Sequence, residues 1–186
     1  MHSYFRVAPV VALWLTLSAC AAASTPIVSE IIDMDAGDRV VLQTVEVEAP
    51  IDEVWKAYST SEGWMGWAAP VAEVDLKVGG RILTNYTPGA KIGDPGTNTL
   101  YIRSYVPERL LVLQAELSDN WPEIMKEDAD NLMNVIVFED RVEGRTRILS
   151  YGVGYRALPA YDDLLEFFVP ANEGLYGKLK ARLESK

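Results

Sequence analysis

Histidine and cysteine are almost missing from this sequence. Among 186 residues there is one of each, His2 and Cys20, both close to the N-terminus. From Ala21 onward the chain offers no imidazole and no thiol. That excludes Ser-His-Asp and Cys-His catalysis, intrachain disulfides, and the usual His/Cys zinc and haem sites. Positive charge is also scarce, with 17 Lys+Arg against 27 Asp+Glu and a formal net charge of −10. So acidic a chain cannot bind phosphate backbones well by releasing counterions, which argues against nucleic acid as a partner. Gly79-Gly80 lacks the Lys-Ser/Thr that would follow in a phosphate loop. The acidic stretch 119–130 lacks the EF-hand pattern, and no residues stand at metal-ligand spacing. No metal and no cofactor is implied. What remains is a chain with 49% hydrophobic residues and no repeat or low-complexity tract, the composition of one globular domain.

The one long apolar run lies at residues 7–19, after a short segment whose only charge is Arg6. A bilayer span needs about 20 apolar residues, so this run has the proportions of a secretory signal instead. Leu17-Ser18-Ala19-Cys20 follows at once and resembles the bacterial lipoprotein box, whose cysteine is lipidated and becomes the new N-terminus. Ordinary cleavage at Ala21-Ala22-Ala23 is the alternative. The expected organisation is a signal over residues 1–19, a tether over 20–38 and a folded domain over 39–186. The chain would then be exported and held at the periplasmic side of a bacterial membrane through Cys20. Ala21 is not the Asp that resembles an inner-membrane retention signal, so the outer membrane is favoured, and a soluble periplasmic or secreted form is the alternative. Several acyl chains, at about 0.8 kcal/mol per buried CH₂, would make a firm anchor.

Within the folded part, residues 40–48 alternate, with Val41, Gln43, Val45 and Val47 on one parity, and read as a strand. Pro50 stops it and opens a helix over 51–58, with Asp52 and Glu53 at its positive end and Val54, Trp55 and Tyr58 as its core stripe. A short helix or turn over 62–67 comes next. Strands are expected at 73–76, 81–86, 100–106 and 110–117, then an irregular acidic excursion over 121–132. Two more strands, 134–142 and 146–155, flank the hairpin signal Glu143-Gly144-Arg145. Residues 161–183 carry leucines at helical spacing but contain Pro170 and Gly174, so a kinked helix or two pieces is expected.

This order predicts an α+β helix-grip fold, a curved antiparallel sheet wrapped around a long C-terminal helix. Val47-Glu48-Ala49-Pro50-Ile51-Asp52-Glu53-Val54-Trp55-Lys56-Ala57 resembles the opening of the polyketide cyclase/START-like (SRPBCC, pollen-allergen-like) superfamily. Trp64-Met65-Gly66-Trp67, Val78-Gly79-Gly80-Arg81, Pro107-Glu108-Arg109-Leu110 and Gly144-Arg145-Thr146-Arg147-Ile148 are similar to its Aha-type branch, homologues of the chaperone ATPase activator. Two departures stand out. Gly152-Val153-Gly154 lies where that branch usually has His or Trp, and the excursion around Trp121 is long.

The resemblance implies a hydrophobic small-molecule pocket between sheet and helix. The aromatic inventory suits one, and Trp64, Trp67, Tyr86, Tyr101, Phe138, Tyr151, Tyr155 and Phe168 are the candidate lining residues. On the last strand, Ile148, Ser150, Gly152 and Gly154 share one parity, and Leu149, Tyr151, Val153 and Tyr155 the other. Which set faces inward decides whether the pocket is roomy or plugged, and periodicity leaves both open. Arg103 alternates with Tyr101 and Tyr105, so the three are expected on one face. Asp162, Asp163, Glu166, Asp75, Glu116, Glu139 and Asp140 are the carboxylates that a cyclase- or hydratase-type enzyme could use, although solvated or dipole-pairing roles suit them better. The inventory favours holding an apolar ligand over transforming it. An ATPase-activating co-chaperone, implied by the branch name, would stand on the wrong side of the membrane if exported.

Overall fold

The computed structural model describes residues 25–119 and 121–185. The expected signal, His2 and Cys20, the expected site of lipid attachment, lie outside the described residues.

Eight strands form one open antiparallel sheet in the order β1-β2-β8-β7-β6-β5-β4-β3. They are β1 (Val28–Asp33), β2 (Asp38–Val47), β3 (Val71–Val74), β4 (Arg81–Asn85), β5 (Thr97–Val106), β6 (Leu110–Ala115), β7 (Met133–Arg141) and β8 (Arg145–Arg156). The helices are α1 (Ile51–Ser59), α2 (Ser61–Met65), α3 (Glu123–Glu127) and α4 (Pro159–Glu184). This is the helix-grip arrangement. No helix among the described residues is long and apolar enough to cross a membrane.

The sheet begins earlier than residue 39. β1 comes from the segment expected as a tether and pairs with β2 from Val28↔Thr44 to Asp33↔Arg39. Its side chains are mostly exposed, so it has no apolar alternation to betray it. β2 keeps the expected parity, with Val41, Gln43, Val45 and Val47 all buried.

α1 and α2 form a bracket on the concave face. Thr60 ends α1 and caps α2, its Oγ1 accepting from the Gly63 N–H at 2.9 Å. A side chain at Gly63 would sit 2.2 Å from the Lys56 carbonyl oxygen, so glycine lets the two helices meet. The last carbonyls of α1 are taken by indoles: Trp64 Nε1 donates to Tyr58 O at 2.6 Å and Trp67 Nε1 to Ala57 O at 3.1 Å. Those bonds hold both tryptophans flat against the core.

α4 is one helix through Pro170 and Gly174, not two pieces. Pro170 lies on its exposed side, where the carbonyl it deprives of a donor can be hydrated. The C-terminal end is latched to β2. Lys180 Nζ donates to the Glu46 carbonyl and, at 3.0 Å, to Glu184, whose Oε1 also accepts from the Glu48 N–H at 3.1 Å. The N-terminal end is held by Arg39, which bridges Asp33 and Asp162.

Candidate functional site

Two apolar clusters leave a gap between them. The larger unites α1, α2, the middle of the sheet and the C-terminal half of α4 around Trp55, Tyr58, Trp64, Trp67 and Phe138. The smaller unites the excursion after β6 with the N-terminal half of α4, around Met125, Leu132 and Tyr161. Between them lies a cavity of about 280 Å³, floored by β2, β8, β7 and β6 and roofed by α4. That volume is at the lower end of small-molecule sites, roughly 300–1,000 Å³.

The floor comes from the small set on β8. Ser150 and Gly152 line the cavity, so as far as residue 152 the small set faces inward. Tyr155, from the other parity, lines it as well. A bulge explains this: Val41 pairs with Gly152 but Arg39 pairs with Tyr155, so β8 carries one extra residue over that step. Gly154 sits in the bulge at φ 87°, and a Cβ there would lie 2.1 Å from the Asn131 carbonyl oxygen. The extra residue turns Tyr155 back inward, its ring 3.0 Å from where a Gly152 side chain would begin.

Five of the eight aromatics expected at the site line the cavity: Trp64, Trp67, Tyr86, Tyr155 and Phe168. Trp64 and Trp67 form one wall, and Tyr86, 55% exposed, stands at the rim. Phe168 stacks on Trp121 of the excursion, ring centres 5.8 Å apart. The other three lie elsewhere. Phe138 faces inward but is buried behind Tyr58, edge-on to it and to Trp55, with centroids 5.1 and 5.6 Å away. Tyr151 alternates with Ser150 and Gly152 and so projects to the outer face. Tyr101 also points outward, donating to Glu116 at 2.9 Å with Arg103 over its ring.

Arg103, Tyr101 and Tyr105 do not share a face. Ile102 pairs with Leu113 but Ser104 with Val112, so Arg103 is an extra residue in β5. The bulge sends Tyr105 inward to stack on Trp55, while Arg103 donates to Gln114 at 2.6 Å outside the cavity.

The polar groups at the cavity are uncharged. Gln43 on β2 donates from Nε2 to Ser29 at 3.0 Å and to the Val169 carbonyl at 3.2 Å. Asn134 Nδ2 donates to Ser150 Oγ at 2.9 Å. Tyr58, expected only as part of the α1 core stripe, and Tyr176, not singled out from the sequence, are both buried. Burial pushes Tyr176 up to about 12, an effect its interaction with the Ser150 hydroxyl partly offsets. Burial also lifts Tyr58 well above the ordinary phenol value, and neighbouring Tyr176 adds to the rise. The Tyr58 hydroxyl has no hydrogen-bond partner in the protein, alone among the buried side-chain polar atoms of the described residues. No Asp, Glu, Lys or Arg is among the described residues lining the cavity. Of the candidate carboxylates, Asp162 pairs with Arg39, Glu139 faces Arg141 and Arg147, and Glu116 accepts from Tyr101. No group of acidic residues among those described could hold a metal ion.

Residues 48–184 match the family model described as Activator of Hsp90 ATPase homolog 1-like protein. The chain belongs to this family. Solved structures with the same fold include the Aha1 dimer from Colwellia psychrerythraea, 15% identical, with a TM-score of 0.59 over 78% of this chain and 96% of that one. CalU16 from Micromonospora echinospora is 18% identical, with a TM-score of 0.56 over 85% and 83%. Protein NE0264 from Nitrosomonas europaea is 18% identical, with a TM-score of 0.60 over 81% and 97%. At these identities the likeness establishes the fold, and this Aha1-like chain is an SRPBCC helix-grip protein. No curated protein sequence matches it.

Proposed function

We propose that this Aha1-like chain is an exported, lipid-anchored protein that holds an apolar small molecule between its sheet and α4. The observation that carries the reading is the cavity of about 280 Å³, walled by tryptophan, tyrosine and aliphatic side chains. Such a site binds by removing apolar surface from water, at about 25 cal/mol per Å², and needs only a few polar groups for orientation. Export and anchoring rest on the apolar run at 7–19 and on Leu17-Ser18-Ala19-Cys20.

Holding is favoured over catalysis by the groups available. The titratable side chains at the cavity are tyrosines, and burial keeps Tyr58, Tyr155 and Tyr176 protonated at neutral pH. A general base must ionise near the working pH, so these are poor bases.

The test has two parts. Native mass spectrometry of protein extracted from its own membranes in mild detergent is expected to show an added mass of a few hundred daltons that organic solvent removes. The mature N-terminus is expected to be diacylglycerol-modified Cys20. Failure to carry or take up any apolar compound would overturn the binding reading, and an intact Met1 would overturn the anchor.

A further inference from the structure

The Tyr58 hydroxyl is an anomaly among the buried side-chain polar atoms of the described residues. Buried hydroxyls almost always have partners, because an unpartnered one forfeits its hydration. Here the indoles of Trp64 and Trp67 occupy the α1 carbonyls, Asn134 donates to Ser150, and Gln43 is taken by Ser29 and Val169. Among the side-chain polar atoms of the described residues that are shut away from water, the Tyr58 hydroxyl alone is left over, on a residue that lines the cavity.

We propose that Tyr58 reads one neutral oxygen on the ligand, a carbonyl, ether or hydroxyl, to which its O–H donates. The proposal rests on the cavity being a ligand site. The character of the ligand follows from what the surroundings can and cannot balance. A carboxylate would be stripped of water with no cation among the described lining residues to meet it, a costly burial. The chain's own net charge of −10 opposes an anion as well. A cation would find no carboxylate at the lining, and the tyrosines stay uncharged at neutral pH. Trp64 and Trp67 lie against each other, centroids 5.5 Å apart, rather than opposed as the walls of a cation cage. A ligand that is apolar throughout would fit but leave Tyr58 unpaired. An apolar body carrying one uncharged acceptor satisfies the Tyr58 hydroxyl and buries no unbalanced charge.

The experiment uses one skeleton with four heads. Binding of 2-ethylnaphthalene, 2-acetonaphthone, 2-naphthoate and 2-naphthylmethyl-trimethylammonium to the full chain is measured by isothermal calorimetry at pH 7. The ketone is expected to bind three- to tenfold more tightly than the hydrocarbon, as one neutral hydrogen bond allows. The carboxylate is expected to bind more weakly than either. Tyr58→Phe should bring the ketone down to the hydrocarbon while leaving the hydrocarbon's affinity unchanged, and Tyr151→Phe on the outer face should change neither. Equal affinity of ketone and hydrocarbon, or a ketone preference that survives Tyr58→Phe, overturns this proposal and leaves the apolar site standing. Tightest binding by the ammonium or the carboxylate overturns the neutral-oxygen assignment. Binding of none of the four overturns the proposal together with the ligand-site reading beneath it.

Discussion

Removing the Tyr58 hydroxyl should stabilise the protein, which is the opposite of what a buried tyrosine ordinarily does. Tyr58 is 1% exposed and its oxygen has no protein partner. Leaving such a group unsatisfied costs about 1–3 kcal/mol. In Tyr58→Phe the ring keeps its contacts with Trp64, Trp67 and Phe138. The missing oxygen leaves a void on the order of 10 Å³, which at about 24 cal/mol per Å³ costs a few tenths of a kcal/mol. The balance is a gain of about 1 kcal/mol, or roughly 2–4 °C in Tm for a domain of this size. Thermal unfolding followed by far-UV circular dichroism measures it, on protein refolded from guanidinium to strip any carried compound. Tyr161→Phe supplies the control, being the same edit at another buried tyrosine. Its hydroxyl donates to Asp128 at 2.9 Å, with the Ile124 carbonyl at 3.3 Å, and a hydrogen bond to a charged acceptor is worth about 1.5–3 kcal/mol. That variant should melt several degrees lower. If Tyr58→Phe also melts lower, the hydroxyl has a partner, such as water held in the cavity, and the orphan argument fails.

Three other outcomes are expected. Gly154→Ala would place a methyl 2.1 Å from the Asn131 carbonyl oxygen at φ 87°, so it should cost about 1–3 kcal/mol in urea melts and weaken 2-acetonaphthone binding by displacing Tyr155. Trp64→Phe would leave the Tyr58 carbonyl without its 2.6 Å donor and should lower stability by about 1–3 kcal/mol, readable in the same melts. Alkali should unfold the chain. The folded pKa of Tyr176 lies near 12 against an ordinary value of 10, so the folded state holds more protons between those values. Stability is therefore intact below pH 10 and lost as pH rises toward 12. Phenolate absorbance should show the exposed tyrosines ionising first and Tyr58 and Tyr176 only with unfolding.

The fold was readable from element order and from the β2 alternation, because one buried strand face leaves a period-two record that a single sequence preserves. The site was readable only in part, and the reason differs by residue. Trp64 and Trp67 stand beside each other in a short segment and had to share a wall. Tyr101 and Tyr151 suit a lining by being aromatic, but on a strand the face decides, and both fall outside. Arg103 defeated the alternation rule because an inserted residue reverses parity without changing composition. Tyr58 was visible as a core-stripe residue, but its stripe says nothing of whether its hydroxyl finds a partner. Tyr176 was hidden among the leucines that define the buried face of α4. The available signal was that both are tyrosine at positions where phenylalanine would fill the same space.

The two departures from the family pattern are one structural feature. The long excursion after β6 returns to β7 at Asn131 and Leu132, and it presses on β8 where Gly154 has no side chain. The same glycine supplies the bulge that turns Tyr155 inward, over the space that Gly152 leaves. Tyr155 then meets Tyr161 edge-on at 5.4 Å, and Tyr161 is fastened to the excursion through Asp128, which also accepts from Arg156 at 2.6 Å. A bulky residue at position 154 could not coexist with this excursion. The glycines and the excursion therefore depend on each other, and together they build one end of the cavity. The opposite end is made by α1, α2 and the Trp64-Trp67 wall. The Tyr155–Trp121 end is accordingly where the excursion shapes the cavity. Exchanging the excursion should change which apolar body fits, while leaving the Tyr58 preference for a neutral oxygen unchanged.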